Sequence, residues 1–167
     1  MSQRHHPSSP PALCHVITAP PILYAEDDEH DVFFLRHAFQ EAGITNPLHI
    51  ASNGQEAIDY LSGAGDFADR SRYPLPRLIL LDLKMPRIAD MEVLAWIRQA
   101  SKLPPLPVIV LSSSAQPRDI ERAFALGANA FVVKPGSVED RLCLARGIKE
   151  FWLRFNEAQP ACLHAAS

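Results

Sequence analysis

Five short apolar runs recur along the chain, each stopping abruptly at polar or turn-forming residues. Ile22-Leu23-Tyr24-Ala25 runs into Glu26-Asp27-Asp28-Glu29, and Leu48-His49-Ile50-Ala51 ends ahead of Asn53-Gly54. Leu78-Ile79-Leu80-Leu81 runs into Asp82, Val108-Ile109-Val110-Leu111 into Ser112, and Ala130-Phe131-Val132-Val133 into Lys134-Pro135. Runs this short and this continuous predict strands buried on both faces, as in a parallel sheet, rather than half-exposed strands with alternating polarity. Between them the apolar positions change to a spacing of three and four, which predicts helices. One spans about 31–42, with Phe34, Leu35, Ala38, Phe39 and Ala42 facing inward and Gly43 as its stop. A second covers 55–61, with Ala57, Ile58 and Leu61 inward, and a third covers about 90–100, with Val93, Leu94 and Ile97 inward and Trp96 beside them. A fourth covers 118–126 and is closed by Gly127; the last runs from Val138 to about Phe155.

Strands alternating with helices five times predict an α/β protein with helices on both sheet faces. Right-handed crossovers with one reversal of winding give a flavodoxin-like, doubly wound five-stranded parallel sheet of order 2-1-3-4-5 with five helices. Residues 1–20 hold several prolines and little periodicity and are expected to form a flexible extension. The ordered domain is expected over 21–156, with a flexible tail over 157–167. Ser62 to Arg77 reads as a long polar connection.

Composition narrows the function classes. The chain has 167 residues and a formal net charge of −3 without a block of one sign, which argues against nucleic acid as a partner. No apolar run approaches the roughly 20 residues needed to cross a bilayer. The first twelve residues lack a signal peptide's apolar segment, so a cytoplasmic location is expected. Cys14, Cys143 and Cys162 lack the spacing of a disulfide framework or a zinc site, and Cys143 reads as a small apolar filler on the last helix.

The candidate chemistry lies where the strands end. In an open parallel sheet the carboxyl ends of all strands share one edge. The predicted order therefore brings Glu26 and Asp27 from the first strand beside Asp82 from the third, with Ser112 and Lys134 flanking them. The four consecutive acids 26–29 fit the first turn of a helix, where acids are favoured, and equally a cation site, where oxygen ligands gather. Clustered carboxylates with open ligand positions suit Mg²⁺. A carboxylate can act as a nucleophile toward phosphorus, while a cation and a lysine neutralise the phosphoryl oxygens and a hydroxyl donates to one of them.

The run Leu23–Asp28, the turn Leu81-Asp82-Leu83-Lys84-Met85-Pro86, Ser112-Ser113, and Ala125-Leu126-Gly127-Ala128 through Phe131-Val132-Val133-Lys134-Pro135 resemble the receiver domain of bacterial two-component response regulators. More narrowly the chain resembles the single-domain regulators that partner phytochrome kinases. It shares with them the long connection before the third strand, the Pro-Arg-Leu-Ile-Leu-Leu-Asp-Leu approach and the Phe151-Trp152-Leu153 segment of the last helix. The resemblance implies a stand-alone regulator that accepts a phosphoryl group on Asp82 from a sensor histidine kinase, and that signals by conformational change rather than acting as an enzyme. It implies Mg²⁺ bound by Asp27 and Asp82, by Glu26 through water and by the backbone carbonyl of Lys84. Ser112 is the implied switch hydroxyl and Phe131 the switch aromatic. Lys134 is the implied partner of the phosphoryl group, with a cis bond to Pro135. A phytochrome kinase as partner and a homodimer through helix four, strand five and helix five also follow from the resemblance. For Phe151, Trp152 and Phe155, core packing and an interface stay open.

The chain departs from the family pattern in three places. Ala89-Asp90 stands where Asp-Gly is usual, Phe131 lacks a tyrosine hydroxyl, and Lys84 stands two residues after Asp82, where its side chain can obstruct attacking water and prolong the phosphorylated state. Two rival classes are weighed. Phosphatases of the haloacid-dehalogenase type need a second aspartate where Lys84 stands. A phosphorylation-independent interaction module keeps the receiver shape without its chemistry, yet Glu26, Asp27, Asp82, Ser112 and Lys134 are all present. Too few residues follow Phe155 for a DNA-binding output domain.

Overall fold

A computed structural model of the chain describes residues 19–85, 91–100 and 103–157. The elements run β1 (Ile22–Ala25), α1 (Glu29–Glu41), β2 (Leu48–Ala51), α2 (Gly54–Ser62), β3 (Leu78–Asp82), α3 (Glu92–Gln99), β4 (Val108–Ser112), α4 (Pro117–Ala125), β5 (Ala130–Val133) and α5 (Val138–Gly147). The five strands form one parallel sheet of order β2-β1-β3-β4-β5, as the apolar runs predict. Every residue of β1, β3 and β4 is buried, while the edge strands β2 and β5 are only partly so. The sheet divides the core in two. Leu23, Ile79, Leu81, Val108 and Val110 pack against α2 and α3 through Leu61, Leu94 and Ile97. Ile22, Tyr24, Leu80, Ile109 and Leu111 pack against α1 and α5 through Leu35, Phe39, Ala145 and Ile148.

Several local readings change. Phe34 is exposed, because α1 meets the sheet through Leu35, Ala38 and Phe39. Its ring instead lies under the Arg141 guanidinium at 4.3 Å, a cation–π contact across α1 and α5. Cys143 is exposed as well, on the outer side of α5, so it fills no core gap; Cys14 and Cys162 lie outside the described residues. The last helix does not continue as an α-helix. At Ile148 it changes to π-helical winding, which runs to Phe155. Arg77, just ahead of β3, donates to the backbone carbonyl of Asn156 at 2.7 Å and so ties off the end of that segment. No peptide bond among the described residues is cis, so the Lys134–Pro135 bond is trans, the form favoured at most X–Pro steps. The positions Ala89-Asp90 lie outside the described residues.

The connection between α2 and β3 is more organised than its polar composition suggests. Gly63 closes α2 at φ +73°, a left-handed conformation that glycine adopts without a Cβ penalty. Arg70 then folds back, and its guanidinium donates to the carbonyls of Tyr60 and Leu61, both at 2.7 Å. Tyr60, Phe67 and Tyr73 pack against one another tilted or edge to face, with the His49 ring edge-on to Tyr60 and Tyr73.

This cluster half-buries His49, and burial holds its pKa below the usual histidine value near 6.5. The folded protein therefore resists protonating His49. Its contribution to stability is intact above about pH 6.5 and shrinks as pH falls through that value toward the folded midpoint. An NMR titration is expected to place the His49 midpoint below that of the urea-unfolded chain; a midpoint at or above it contradicts this packing.

Candidate functional site

The sheet register carries the chemical groups to one edge. Ala25 pairs with Leu81, so Glu26 follows β1 alongside Asp82 at the end of β3. Asp82 pairs with Leu111, and Ser112 with Val133, so Ser112 and Lys134 complete the row. The Lys134 amide donates to the Ser112 carbonyl at 2.8 Å, which fixes where the lysine leaves the sheet.

The acid run Glu26–Glu29 divides between the two roles its composition allows. Asp28 caps α1, accepting from the His30 amide at 2.8 Å, and that hydrogen bond holds its carboxyl below the ordinary carboxylate range. Glu29 lies in the first helical turn, where the helix dipole favours an acid. Glu26 and Asp27 turn toward Asp82. One carboxylate oxygen from each of the three lies within 4.8 Å of the other two. Asp27 is exposed, whereas Glu26 and Asp82 are buried.

Lys134 reaches into this cluster. Its ammonium donates to Glu26 Oε2 at 2.6 Å and Asp31 Oδ2 at 2.8 Å, and stands 3.3 Å from Asp82 Oδ2. Burial works against the charged ammonium, but the hydrogen bonds to Asp31 and Glu26 and the charge of Asp82 outweigh it and hold Lys134 above its ordinary range. Burial likewise pushes the Glu26 carboxyl up, opposed by the hydrogen bonds it accepts from Lys134 and from the Tyr24 hydroxyl at 2.7 Å. Burial beside these acids raises Tyr24 far above its usual value, so it remains a donor. Asp82 Oδ1 is buried and has no hydrogen-bond partner among the described residues. A buried carboxylate oxygen without a donor is costly.

Three carboxylates thus contact one ammonium, Asp27 adds a fourth beside them, and one Asp82 oxygen finds no donor among the described residues. An oxygen-only donor set with an excess of negative charge, part of it open to solvent through Asp27, fits a hard divalent cation. Ser112 is buried and its hydroxyl oxygen accepts from the Ser114 amide at 3.1 Å. Phe131 is half-buried against the core on the α3 and α4 side, and Lys84 is exposed two residues beyond Asp82.

The sequence profile described as "Response regulator receiver domain" matches residues 22–145. The chain belongs to this family. Among curated relatives, the probable methanogenesis regulatory protein FilR2 of Methanothrix harundinacea is 36% identical over 140 residues, covering 82% of this chain and 86% of FilR2. Among solved structures, the response regulator RPA3017 in red light signaling of R. palustris superposes with a TM-score of 0.79 at 36% identity, covering 84% of this chain and 98% of that one. The phosphorylated cyanobacterial phytochrome response regulator RcpA follows at 0.77 and 30% identity, covering 84% and 99%.

The receiver edge thus brings together Glu26, Asp27, Asp82, Ser112 and Lys134, each at the strand end expected of it. Sequence reading missed Asp31 and Tyr24. Asp31 lies four residues after Asp27 and inside the first turn of α1, a spacing that could have signalled a second acid facing the site. Tyr24 is two residues ahead of Glu26 in β1 and so shares its side of the strand.

Proposed function

We propose that this receiver is a phosphorylation-controlled switch that accepts a phosphoryl group on Asp82 from a phosphohistidine of a sensor histidine kinase. The observation that carries the reading is the buried Asp82 Oδ1, without a partner among the described residues, beside Glu26, Asp27 and the Lys134 ammonium. Glu26, Asp27, Asp82 and the backbone carbonyl of Lys84 would hold Mg²⁺. When bound, that ion neutralises charge on the phosphoryl oxygens. Lys134 neutralises charge from the other side, and the Ser112 hydroxyl turns to donate to a phosphoryl oxygen. The shift of Ser112 toward the phosphoryl group and of Phe131 behind it biases a two-state surface formed by α4, β5 and α5. That surface is where we place a homodimer contact. The protein's own chemistry is confined to gaining and slowly losing the phosphoryl group.

The likeness to RPA3017 and RcpA supports a kinase of the phytochrome type as the input. Similarity to FilR2 reaches a regulator named for methanogenesis, so the input rests on the red-light and phytochrome regulators alone. No helix among the described residues is long and apolar enough to cross a membrane, which suits a cytoplasmic relay. We take 21–156 as the functional unit.

Intact-mass spectrometry after incubation with Mg²⁺ and acetyl phosphate tests the reading. One added phosphoryl group that requires Mg²⁺ and is lost in Asp82→Asn is the expected result. No adduct, from the small donor or from a phosphorylated histidine kinase, would favour a phosphorylation-independent interaction module. Steady release of phosphate over many turnovers would favour a phosphatase.

Lys84 is exposed two residues after Asp82, and in this reading its side chain obstructs water attacking the phosphoryl group. Lys84→Ala is expected to shed the phosphoryl group severalfold faster, as followed by decay of the phosphorylated mass. An unchanged decay rate would remove Lys84 from the account.

A further inference from the structure

The ammonium of Lys134 has three N–H donors and faces three acceptors: Glu26, Asp31 and Asp82. Two of the three donors are spent on hydrogen bonds to Glu26 and Asp31, and the ammonium stands 3.3 Å from Asp82, so drawing it fully onto a phosphoryl group on Asp82 competes with the contacts that hold it back. The three acceptors differ in how readily they can let go. The Glu26 side chain is 1% exposed and is also held by the Tyr24 hydroxyl and the Asp28 amide. Asp82 is itself the reacting group. Asp31 is 30% exposed, so water can hydrate its carboxylate as the lysine leaves. It also stands to the side of the reacting edge, on α1, at the rim of a cleft of about 220 Å³ that Pro135, Gly136 and Arg141 help to line. The contacts to Glu26, at 2.6 Å, and to Asp31, at 2.8 Å, are both shorter than the 3.3 Å separation from Asp82, so the ammonium is held off Asp82, and of the two holders only Asp31, on α1, is open to water.

We propose that Asp31 is a positioning residue that holds the Lys134 ammonium toward α1 in the unphosphorylated protein and gives it up when Asp82 is phosphorylated. The proposal rests on the phosphoacceptor reading of Asp82. With acetyl phosphate, an Asp82 carboxylate oxygen forms a bond to phosphorus while the bond from phosphorus to the acetate oxygen breaks. Acetate leaves with the electron pair, and no further reactant is needed. Charge on the transferring phosphoryl oxygens calls for the ammonium in the transition state. A contact strong in the resting protein and weakened in the transition state raises the barrier. Asp31 is therefore a brake on phosphoryl gain.

The test compares the wild type with Asp31→Asn, Asp31→Glu and Glu29→Gln, measuring the rate of phosphorylation by acetyl phosphate in Mg²⁺ and the hydrogen exchange of the Lys134 ammonium by ¹⁵N NMR. Asp31→Asn is expected to gain the phosphoryl group roughly three- to tenfold faster, the scale of a partly solvated ion pair, and to exchange its Lys134 protons faster. Asp31→Glu is expected to restore both values toward wild type. Glu29→Gln removes a nearby acid that makes no contact with Lys134 and is expected to leave both unchanged. An Asp31→Asn rate equal to wild type, an equal acceleration in Glu29→Gln, or unaltered exchange of the Lys134 protons would overturn the proposal. Absence of any Asp82-dependent adduct in the wild type would instead overturn the phosphoacceptor reading, and the proposal with it.

Discussion

One ammonium holds the acidic edge of the sheet together. Lys134 bonds to Glu26 and Asp31, which precede it by 108 and 103 residues, and it lies against Asp82 from the central strand. Two of these carboxylates are buried, a placement that is unfavourable for a charge unless a partner of opposite sign is at hand. The lysine supplies that partner from β5, the last strand added to the sheet. The edge is therefore assembled only when the chain from β1 to β5 is in register. Even so, Glu26, Asp27, Asp31 and Asp82 against one ammonium leave an excess of negative charge and an Asp82 oxygen without a donor among the described residues. The same imbalance that would be a liability in a plain core suits the edge to a divalent cation, which the proposed phosphoryl transfer to Asp82 calls for.

The rest of the fold sets this edge in place. Parallel pairing of β1, β3, β4 and β5 puts the residue after each strand within reach of its neighbours, and Tyr24, inside the core, steadies Glu26 from below. Asp28 is occupied with starting α1, and the orientation of α1 then brings Asp31 to the flank of Lys134. Local helix capping and long-range ion pairing are thus joined in six consecutive residues.

Much of this architecture was legible in the sequence, for a physical reason. Strands buried on both faces must be unbroken apolar runs, so β1, β3 and β4 announced themselves, and the sheet order followed from the alternation with helices. The residues ending those runs, Glu26, Asp82, Ser112 and Lys134, could be assigned to one edge because parallel strands point the same way. What stayed hidden depends on how helices rotate and pack. Phe34 fits the apolar stripe of α1 by spacing, yet the stripe centres on Leu35, Ala38 and Phe39 and leaves Phe34 to Arg141. Cys143 points outward for the same reason. The π-helical winding after Gly147 has no composition signal, and the role of Asp31 appears only once α1 and β5 are side by side. The folded-back Arg70 in the connection before β3 was equally invisible, since its partners are backbone carbonyls.

The receiver family, the acidic edge and the shared lysine together make Asp82 the group on which the account stands. Borohydride reduction of the protein after exposure to phosphodonor and Mg²⁺, followed by peptide mapping, identifies the residue that carried the acyl phosphate, because reduction converts an aspartyl phosphate to homoserine. The account predicts homoserine at position 82 and at no other acid of the edge. Homoserine at Asp27 or Asp31, 5-hydroxynorvaline at Glu26, reduction product at any other residue, or none at all in a protein shown to bind Mg²⁺, would contradict it.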